Sequence, residues 1–311
     1  MAVSASHVPP RRGAALLVLG LAMLGISFAA PLIRYSSAHP LVIAIWRMAF
    51  SLGIIAAFLI PSRGWRQWRS LDRRGIAMAL GAGVMLAIHF WSWNTSLAFT
   101  TVAASVILVN TQPVIVAALS AAWLREIPTR AQWAGIAVAM FGALVIVVPD
   151  LRGGGSPAMD RALLGDLLAL AGAVTAALYY LAGRRLRGTL DLWPYVALVY
   201  GACFVTLVVI ALVLGIPMLP QPAREWWIFA ALAAGPMMLG HTGMNWALRY
   251  LPAYSVNLTT LAEPLGATLL AAALPGIREV PPLATLAGGV FVLVGIFIAL
   301  PRPTETAASA P

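Results

Sequence analysis

The sequence contains no lysine, a single cysteine and few charges of either sign. Charged residues make up 10% of its 311 positions, where a soluble domain carries roughly a quarter. Hydrophobic residues reach 61%, and the mean hydropathy is +0.90. So little charge cannot cover the surface of a water-soluble fold of this size. The lone Cys203 lies inside an apolar block and allows neither an intrachain disulfide nor a cysteine-rich metal site. No HExxH, GxSxG, Asp-rich diphosphate motif or phosphate-binding P-loop is present. These absences argue against a zinc enzyme, a serine hydrolase, and direct use of ATP by the chain itself; no cofactor is expected.

What is present is apolar sequence in blocks long enough to cross a bilayer, about 20 residues each at 1.5 Å per residue. Ten spans can be drawn, at 14–33, 40–60, 74–95, 102–124, 131–148, 163–183, 193–214, 226–247, 253–274 and 282–300. Proline, glycine and arginine mark the breaks, as in Pro61-Ser62-Arg63-Gly64. The polar start with Arg11 and Arg12 looks like a signal peptide, but the apolar run after it is too long for one, so a retained first helix is expected. The tail 301–311 is rich in Pro, Ala and Thr and reads as disordered.

All 20 basic residues are arginine, and the net charge is +10. They sit in short loops between apolar blocks, which fits membrane topology rather than nucleic-acid binding. With the N-terminus placed in the cytoplasm, fourteen arginines fall on the cytoplasmic side, five outside, and Arg47 within a span. The expectation is a multi-pass protein of the cell (inner) membrane with both termini cytoplasmic.

The two halves also resemble each other. Asn94-Thr95-Ser96-Leu97 leads to Gln112-Pro113, with nineteen residues from Asn to Pro, and Asn245-Trp246-Ala247-Leu248 leads to Glu263-Pro264 at the same spacing. Gly135 and Gly142 are matched by Gly288 and Gly295. Five spans per half is an odd number, so the second copy lies upside down relative to the first. The fold class expected is all-α integral membrane, ten transmembrane helices as two inverted five-helix repeats over 14–148 and 163–300. Inverted repeats place a binding site near the bilayer midplane between the halves.

At these residues the chain resembles the drug/metabolite transporter superfamily, in its ten-helix form with two EamA-type domains. Arg47 early in the second span, Asn94 and Leu97 at the end of the third, Pro113 within the fourth and Glu126 after it carry the resemblance in the first copy. Asn245, Leu248, Pro264 and, two residues offset, Glu279 carry it in the second, which departs where Tyr200 or Gly201 stands in place of the arginine. The resemblance spans about 14–300 and implies the fold and a transport function; the solutes it implies are diverse small metabolites.

Several polar residues stand out against the apolar spans. Glu263 sits near the middle of the ninth, where a charge costs a few kcal/mol, roughly 2.5–3.5 for Arg, Lys or Asp. It would bind a substrate amine or a proton, or else take part in a structural ion pair or be kept neutral. Gln112 holds the equivalent place in the first copy. Pro113 and Pro264 follow these two residues and leave carbonyls without their helical partners, as polar lining and gating kinks or as simple packing kinks. Arg47 would hold a substrate carboxylate, pair with Glu263, or cap carbonyls. His89 and His241 are proton-relay candidates, or histidines satisfied by interhelical hydrogen bonds. Trp91 and Tyr179, with Trp46, Trp93, Trp246, Tyr180 and Tyr200, would line an aromatic cavity or pack the core. Asn110 and Asn257 complete the candidate lining. Asn94 and Asn245 end their helices and read first as caps. Trp65, Trp68, Trp123, Trp133, Trp193, Trp226 and Trp227 lie at span ends, as an interfacial belt does.

The function expected is secondary transport by alternating access, exporting amino acids or similar small amphipathic metabolites. The cavity is expected to be lined by the first, third, fourth, sixth, eighth and ninth spans. Efflux of lipophilic cations is the variant favoured if Glu263 proves unpaired, and an intramembrane enzyme or a non-transporting scaffold is a remote alternative. The partners expected are a small-molecule substrate and the lipid bilayer, no metal and no nucleic acid, in a monomer or homodimer.

Overall fold

The computed structural model describes residues 12–96, 99, 105, 108–153, 159–263, 265–266, 270 and 283–299. Pro264, Glu279 and the 301–311 tail lie outside the described residues. No strand occurs among those described. The helices are α1 (Arg12–Ser27), α2 (Ala29–Tyr35), α3 (Pro40–Ser62), α4 (Arg73–Ser96), α5 (Gln112–Trp123), α6 (Arg130–Gly153), α7 (Met159–Leu186), α8 (Leu192–Val213), α9 (Ala223–Leu232), α10 (Gly243–Ala247), α11 (Ala253–Leu258) and α12 (Leu283–Ala299). Two 3₁₀ segments, Gly64–Ser70 and Thr259–Ala262, and a π-helical stretch, Ala233–Thr242, complete them.

Among the described residues, five stretches are long and apolar enough to cross a membrane: Gly13–Ile33, Pro40–Ser62, Arg73–Ser96, Leu164–Leu186 and Leu192–Val213. Shorter apolar helices cover Gln112–Trp123 and Leu286–Ala299, and helical backbone runs without a break from 223 to 247. The expected fourth and ninth spans are not continuous α-helices. The fourth has a turn at Asn110–Thr111 immediately before α5, which puts Pro113 in that helix's first turn, where its missing N–H breaks no bond. The ninth passes from α11 into the 3₁₀ turn that ends at Ala262, next to Glu263.

Local chemistry sets the ends. α3 begins with Pro40 in its first turn and the His39 Nδ1 accepting from the Leu41 amide at 3.2 Å, and ends on Arg63 in the left-handed region at φ 53°. Asp72 accepts from the Gly75 amide at 2.7 Å to open α4. Thr129 and Gln132 exchange bonds of 2.8 and 3.3 Å in a capping box that starts α6.

Packing in lipid depends on close contact rather than on hydrophobic expulsion. α6 and α12 therefore meet at glycines: a Cβ on Gly142 would stand 2.6 Å from the Gly288 carbonyl oxygen, and one on Gly295 would stand 2.4 Å from the Ala139 amide nitrogen. α1 lies against the π-helical stretch in the same way, with Gly25 facing the backbone of Gly235 and Gly240. α4 packs along α7 and α8, α3 along α8 and α9, and α5 against α7 and α11.

Both ends of the bundle are tied by polar contacts. At one, Glu126 accepts from Arg184 Nε at 2.6 Å and from the Ala253 amide at 3.0 Å, and Arg184 also donates to the Leu248 carbonyl at 2.8 Å. Asp191 at the same end pairs with Arg249 at 2.6 Å and exchanges two bonds with Gln67. At the other end, Glu225 accepts from the Ser37 amide and hydroxyl, both at 3.0 Å, and from the Ser36 hydroxyl, while Arg224 donates to the Tyr35 carbonyl.

Candidate functional site

A cavity opens where the helices lose regular α geometry. Its wall is formed by Ile26 and Ala29 near the α1–α2 junction, by Arg47 on α3, and by His89, Phe90 and Trp93 on α4. Val109 and Asn110 come from the backbone just before α5, Gln112 from its first residue, Tyr180 from α7, Pro236 and His241 from the π-helical stretch, and Thr260 and Glu263 from the 3₁₀ turn and its end. Unwound backbone inside a membrane is tolerated where it lines such a space, because its freed polar groups need partners that lipid cannot give.

The sequence candidates Arg47, His89, Asn110, Gln112, His241 and Glu263 all stand on this wall. Trp91, Tyr179 and Asn257 do not. Trp91 is partly buried against the core. Tyr179 is fully buried and bonded by Asn245 Nδ2. Asn257 stands behind the wall, where its Oδ1 accepts from Gln112 Nε2 and its Nδ2 donates to the Ala253 carbonyl at 2.9 Å. The Gln112–Asn257 bond joins the first half of the chain to the second. Pro113 is buried in the first turn of α5 beside the cavity, and Pro264 lies outside the described residues.

Arg47 is 1% exposed, and its Nε and Nη2 have no hydrogen-bond partner. Its Cζ lies 3.5 Å from the centroid of the Phe90 ring, so the guanidinium is held flat on an aromatic face. Trp93 on the same wall has an indole N–H that is also buried without an acceptor. Of the three sequence readings of Arg47, pairing with Glu263 is not what the side chains do: the ion pairs among the described residues are Arg184–Glu126 and Arg249–Asp191. Capping carbonyls would occupy the Nε and Nη2 donors, and these are free.

Both histidines make interhelical hydrogen bonds. His89 Nδ1 meets the Gly172 carbonyl at 3.0 Å, so this nitrogen carries the proton and Nε2 is the acceptor. His241 Nδ1 stands 3.1 Å from the Tyr180 hydroxyl. The two rings approach to 6.4 Å between centroids, and His89 stacks on Trp93 at 6.2 Å. Among the described residues no group of three or more His, Cys, Asp or Glu is placed to hold a metal ion.

Asn94 and Asn245, read first as caps, do other work. Asn94 Nδ2 donates to the Pro40 carbonyl at 3.3 Å, tying α4 to the start of α3. Asn245 Nδ2 donates to the His241 carbonyl at 2.8 Å and to the Tyr179 hydroxyl, with the Tyr200 hydroxyl at 3.4 Å; Tyr200 in turn meets the Thr242 hydroxyl at 3.1 Å. This network braces the C-terminal end of the π-helical stretch that presents His241. Sequence reasoning missed Phe90, the platform for Arg47, although its place next to His89 on an apolar helix was a signal. It also missed Thr260, which nothing in the pattern marked.

The EamA-like transporter family matches the chain twice, over residues 11–148 and 163–300. A protein of Pseudomonas aeruginosa named as the pseudopaline exporter CntI is 28% identical over 234 residues, covering 75% of this chain and 78% of its own. A protein of Archaeoglobus fulgidus named as an uncharacterized transporter is 26% identical over 295 residues, covering 91% and 96%. A solved crystal structure aligns over 96% of this chain and 100% of its own with a TM-score of 0.76 at 20% identity, which is a likeness of fold. The chain is a multi-pass membrane protein and belongs to the EamA-like transporter family.

Proposed function

We propose that this transporter exports small zwitterionic metabolites, amino acids or close relatives of them, by alternating access of the central cavity. The observation that carries this reading is the state of the charges on the cavity wall. The Arg47 guanidinium and the Trp93 indole present three donor nitrogens with no acceptor, and Glu263 on the same wall has no ion pair among the described residues. A buried charge left unmatched is expensive, and a solute with its own carboxylate and amine supplies both missing partners at once. Glu263 without an ion pair among the described residues is the condition that favours efflux of a lipophilic cation, but that variant fits less well because Arg47 would face the cation across the same space.

The packing supports two inverted five-helix repeats over 14–148 and 163–300. Number the spans one to ten along the chain. Contact of the third with the sixth has its counterpart in the eighth with the first, and third with seventh in eighth with second. The pairs second–seventh, fourth–ninth and fifth–tenth map onto themselves. That is the pattern of a two-fold axis exchanging the halves. The end that carries Arg63–Arg74, Arg184–Arg187 and Arg249 is the cytoplasmic end on this reading, with both termini inside the cell membrane. Export rather than uptake draws support from the relative named as an exporter. Glu263 supplies the amine or proton site, and Gln112, His89, His241 and Asn110 the polar lining.

The test is transport in proteoliposomes and resistance of expressing cells to toxic amino-acid analogues. The expected result is analogue export by the native chain, loss of it in Arg47→Gln, and loss of any pH-driven component in Glu263→Gln, with expression unchanged. Native rates and native pH dependence in both variants would overturn the assignment.

A further inference from the structure

The stretch from the end of α3 into the first turn of α4 holds five arginines, Arg63, Arg66, Arg69, Arg73 and Arg74, all exposed, and one acid, Asp72, whose Oδ1 already serves the Gly75 amide. None of the five makes an ion pair among the described residues. Transport uses none of them, since they stand at or just beyond the ends of the membrane-crossing helices and away from the cavity wall.

Their arrangement is fixed by the 3₁₀ helix Gly64–Ser70. With three residues per turn and about 2.0 Å rise per residue, side chains at i and i+3 stand above one another, about 6 Å apart. Arg66 and Arg69 therefore form one column, and Arg63 enters from the left-handed turn just before it. Trp65 and Trp68 form the next column. The third, Gly64, Gln67 and Ser70, faces the protein at Gln67, which exchanges bonds of 2.7 and 2.9 Å with Asp191. The Trp68 indole donates to the Pro194 carbonyl at 3.0 Å, and Gly64 is buried against Leu59 and Pro194. The segment is thus clamped to the bundle with an arginine column outward and a half-exposed Trp65 beside it.

Arg73 and Arg74 add a second anomaly. They occupy the first turn of α4, the end of a helix that carries partial positive charge and favours anions. Two cations there are misplaced unless an anion from outside the chain meets them. A helix seated at the ends of two membrane-crossing helices faces one abundant row of anions, the phosphates of the adjacent leaflet, at the level where tryptophan rings also prefer to lie.

We propose that residues 63–74 form a binding surface for anionic phospholipid headgroups, with Arg63, Arg66 and Arg69 on the phosphates, Arg73 and Arg74 closing the far side, and Trp65 inserted at the glycerol level. The proposal rests on the membrane-spanning fold and not on the transport reading, so either can fail alone. The probe is the purified full-length chain titrated with phosphatidylglycerol or phosphatidylcholine, with bound lipid counted by native mass spectrometry. The native chain is expected to retain phosphatidylglycerol over phosphatidylcholine, and the preference is expected to collapse as salt is raised within the native protein, a measurement that needs no variant to fold. The triple variant Arg63→Gln/Arg66→Gln/Arg69→Gln is expected to bind phosphatidylglycerol roughly a hundredfold more weakly, with phosphatidylcholine unchanged. Trp65→Ala is expected to weaken both lipids alike. A salt-insensitive preference, or a folded triple variant that keeps native phosphatidylglycerol affinity, would overturn the proposal. So would inorganic phosphate displacing the lipid at equal concentration, since that result assigns the site to a free anion.

Discussion

Replacing Glu126 by glutamine tests whether the cross-half tie at one end of the bundle holds the cavity shut on that side. Glu126 belongs to the first half, and its partners Arg184 and Ala253 to the second, so the contact must break if the halves part there. Glutamine keeps an acceptor for the Ala253 amide and loses the charge opposite Arg184. Removing a hydrogen bond to a charged group costs about 1.5–3 kcal/mol, and side-chain exposures of 27% for Arg184 and 18% for Glu126 let water recover part of it. The net change is about 1–2 kcal/mol, a shift of roughly 5- to 30-fold in the equilibrium between closed and open at this end. The assay places a reporter cysteine on the cavity wall, Thr260→Cys, in a Cys203→Ala background, and measures labelling by an impermeant maleimide from each side. Labelling from the Glu126 end should accelerate by that factor in Glu126→Gln, and labelling from the opposite end should slow or stay level. Equal rates in the two backgrounds, with unchanged thermal melting, would refute the idea that this tie is a gate.

At the opposite end Glu225 is the counterpart. Burial works against its charge, but the Ser36 hydroxyl, the Ser37 amide and hydroxyl and nearby Arg224 outweigh it and hold the carboxyl below its ordinary value. A lowered folded value stabilises the contact fully above about 4.5, the ordinary value, and the stabilisation disappears as pH falls through the lowered one. Maleimide labelling from that end, taken as the ratio of the native rate to the Glu225→Gln rate at the same pH so that the thiol's own loss of reactivity in acid cancels, should therefore lie well below one near neutral pH and rise towards one in acid; a ratio flat to strong acid would count against it. Gly142→Leu should force α6 and α12 apart, because its Cβ alone would sit 2.6 Å from the Gly288 oxygen and 2.7 Å from the Val292 nitrogen. A loss of about 1–3 kcal/mol is expected from overpacking, read as a lower melting temperature than Gly53→Leu, whose Cβ meets nothing within 4 Å. Asn245→Leu should cost about 1 kcal/mol by stranding the Tyr179 hydroxyl and the His241 carbonyl, and Tyr179→Phe less; equal melting of all three proteins would show that the network is not structural.

Much of the arrangement is legible in the sequence because a bilayer imposes simple rules. Apolar block length locates the long helices, and a polar residue inside such a block must face something other than lipid. Arg47, His89, Asn110, Gln112, His241 and Glu263 are such residues, and one cavity collects all six. The heptad spacing of Gly135–Gly142 and Gly288–Gly295 gives the antiparallel contact of α6 with α12 in the same way. What is not legible depends on register. The π-helical stretch from Ala233 to Thr242 shows no pattern of its own; Pro236 and the near contact with Gly25 on α1 make it a property of packing. Asn245 looks like a helix cap in one dimension and becomes a brace only when Tyr179 and Tyr200 arrive from α7 and α8. Tyr179 and Asn257 have the chemistry of lining residues, yet they stand one layer back, where a helix face read from sequence cannot separate wall from support.

The departures from α geometry argue that the cavity is a built feature of the fold. An unbroken helix satisfies its own backbone in lipid, so each irregular turn has a cost that something must offset. Among the described residues, irregular segments within the bundle include the turn at Asn110–Thr111, the π-helical stretch and the 3₁₀ turn Thr259–Ala262, and each of these contributes to this cavity wall. Two of them occupy corresponding places in the two copies, next to Gln112 and next to Glu263. The copies differ in the side chain placed there, an amide in one and a carboxyl in the other, and again at the position where Arg47 has no second-copy equivalent. On the proposed inverted-repeat reading, symmetry accounts for the place of the cavity, and the breaking of symmetry accounts for its charge. A cation and an acid that both come from unmatched positions, on one wall and not paired with each other, are the features that a symmetric scaffold for packing alone would not need.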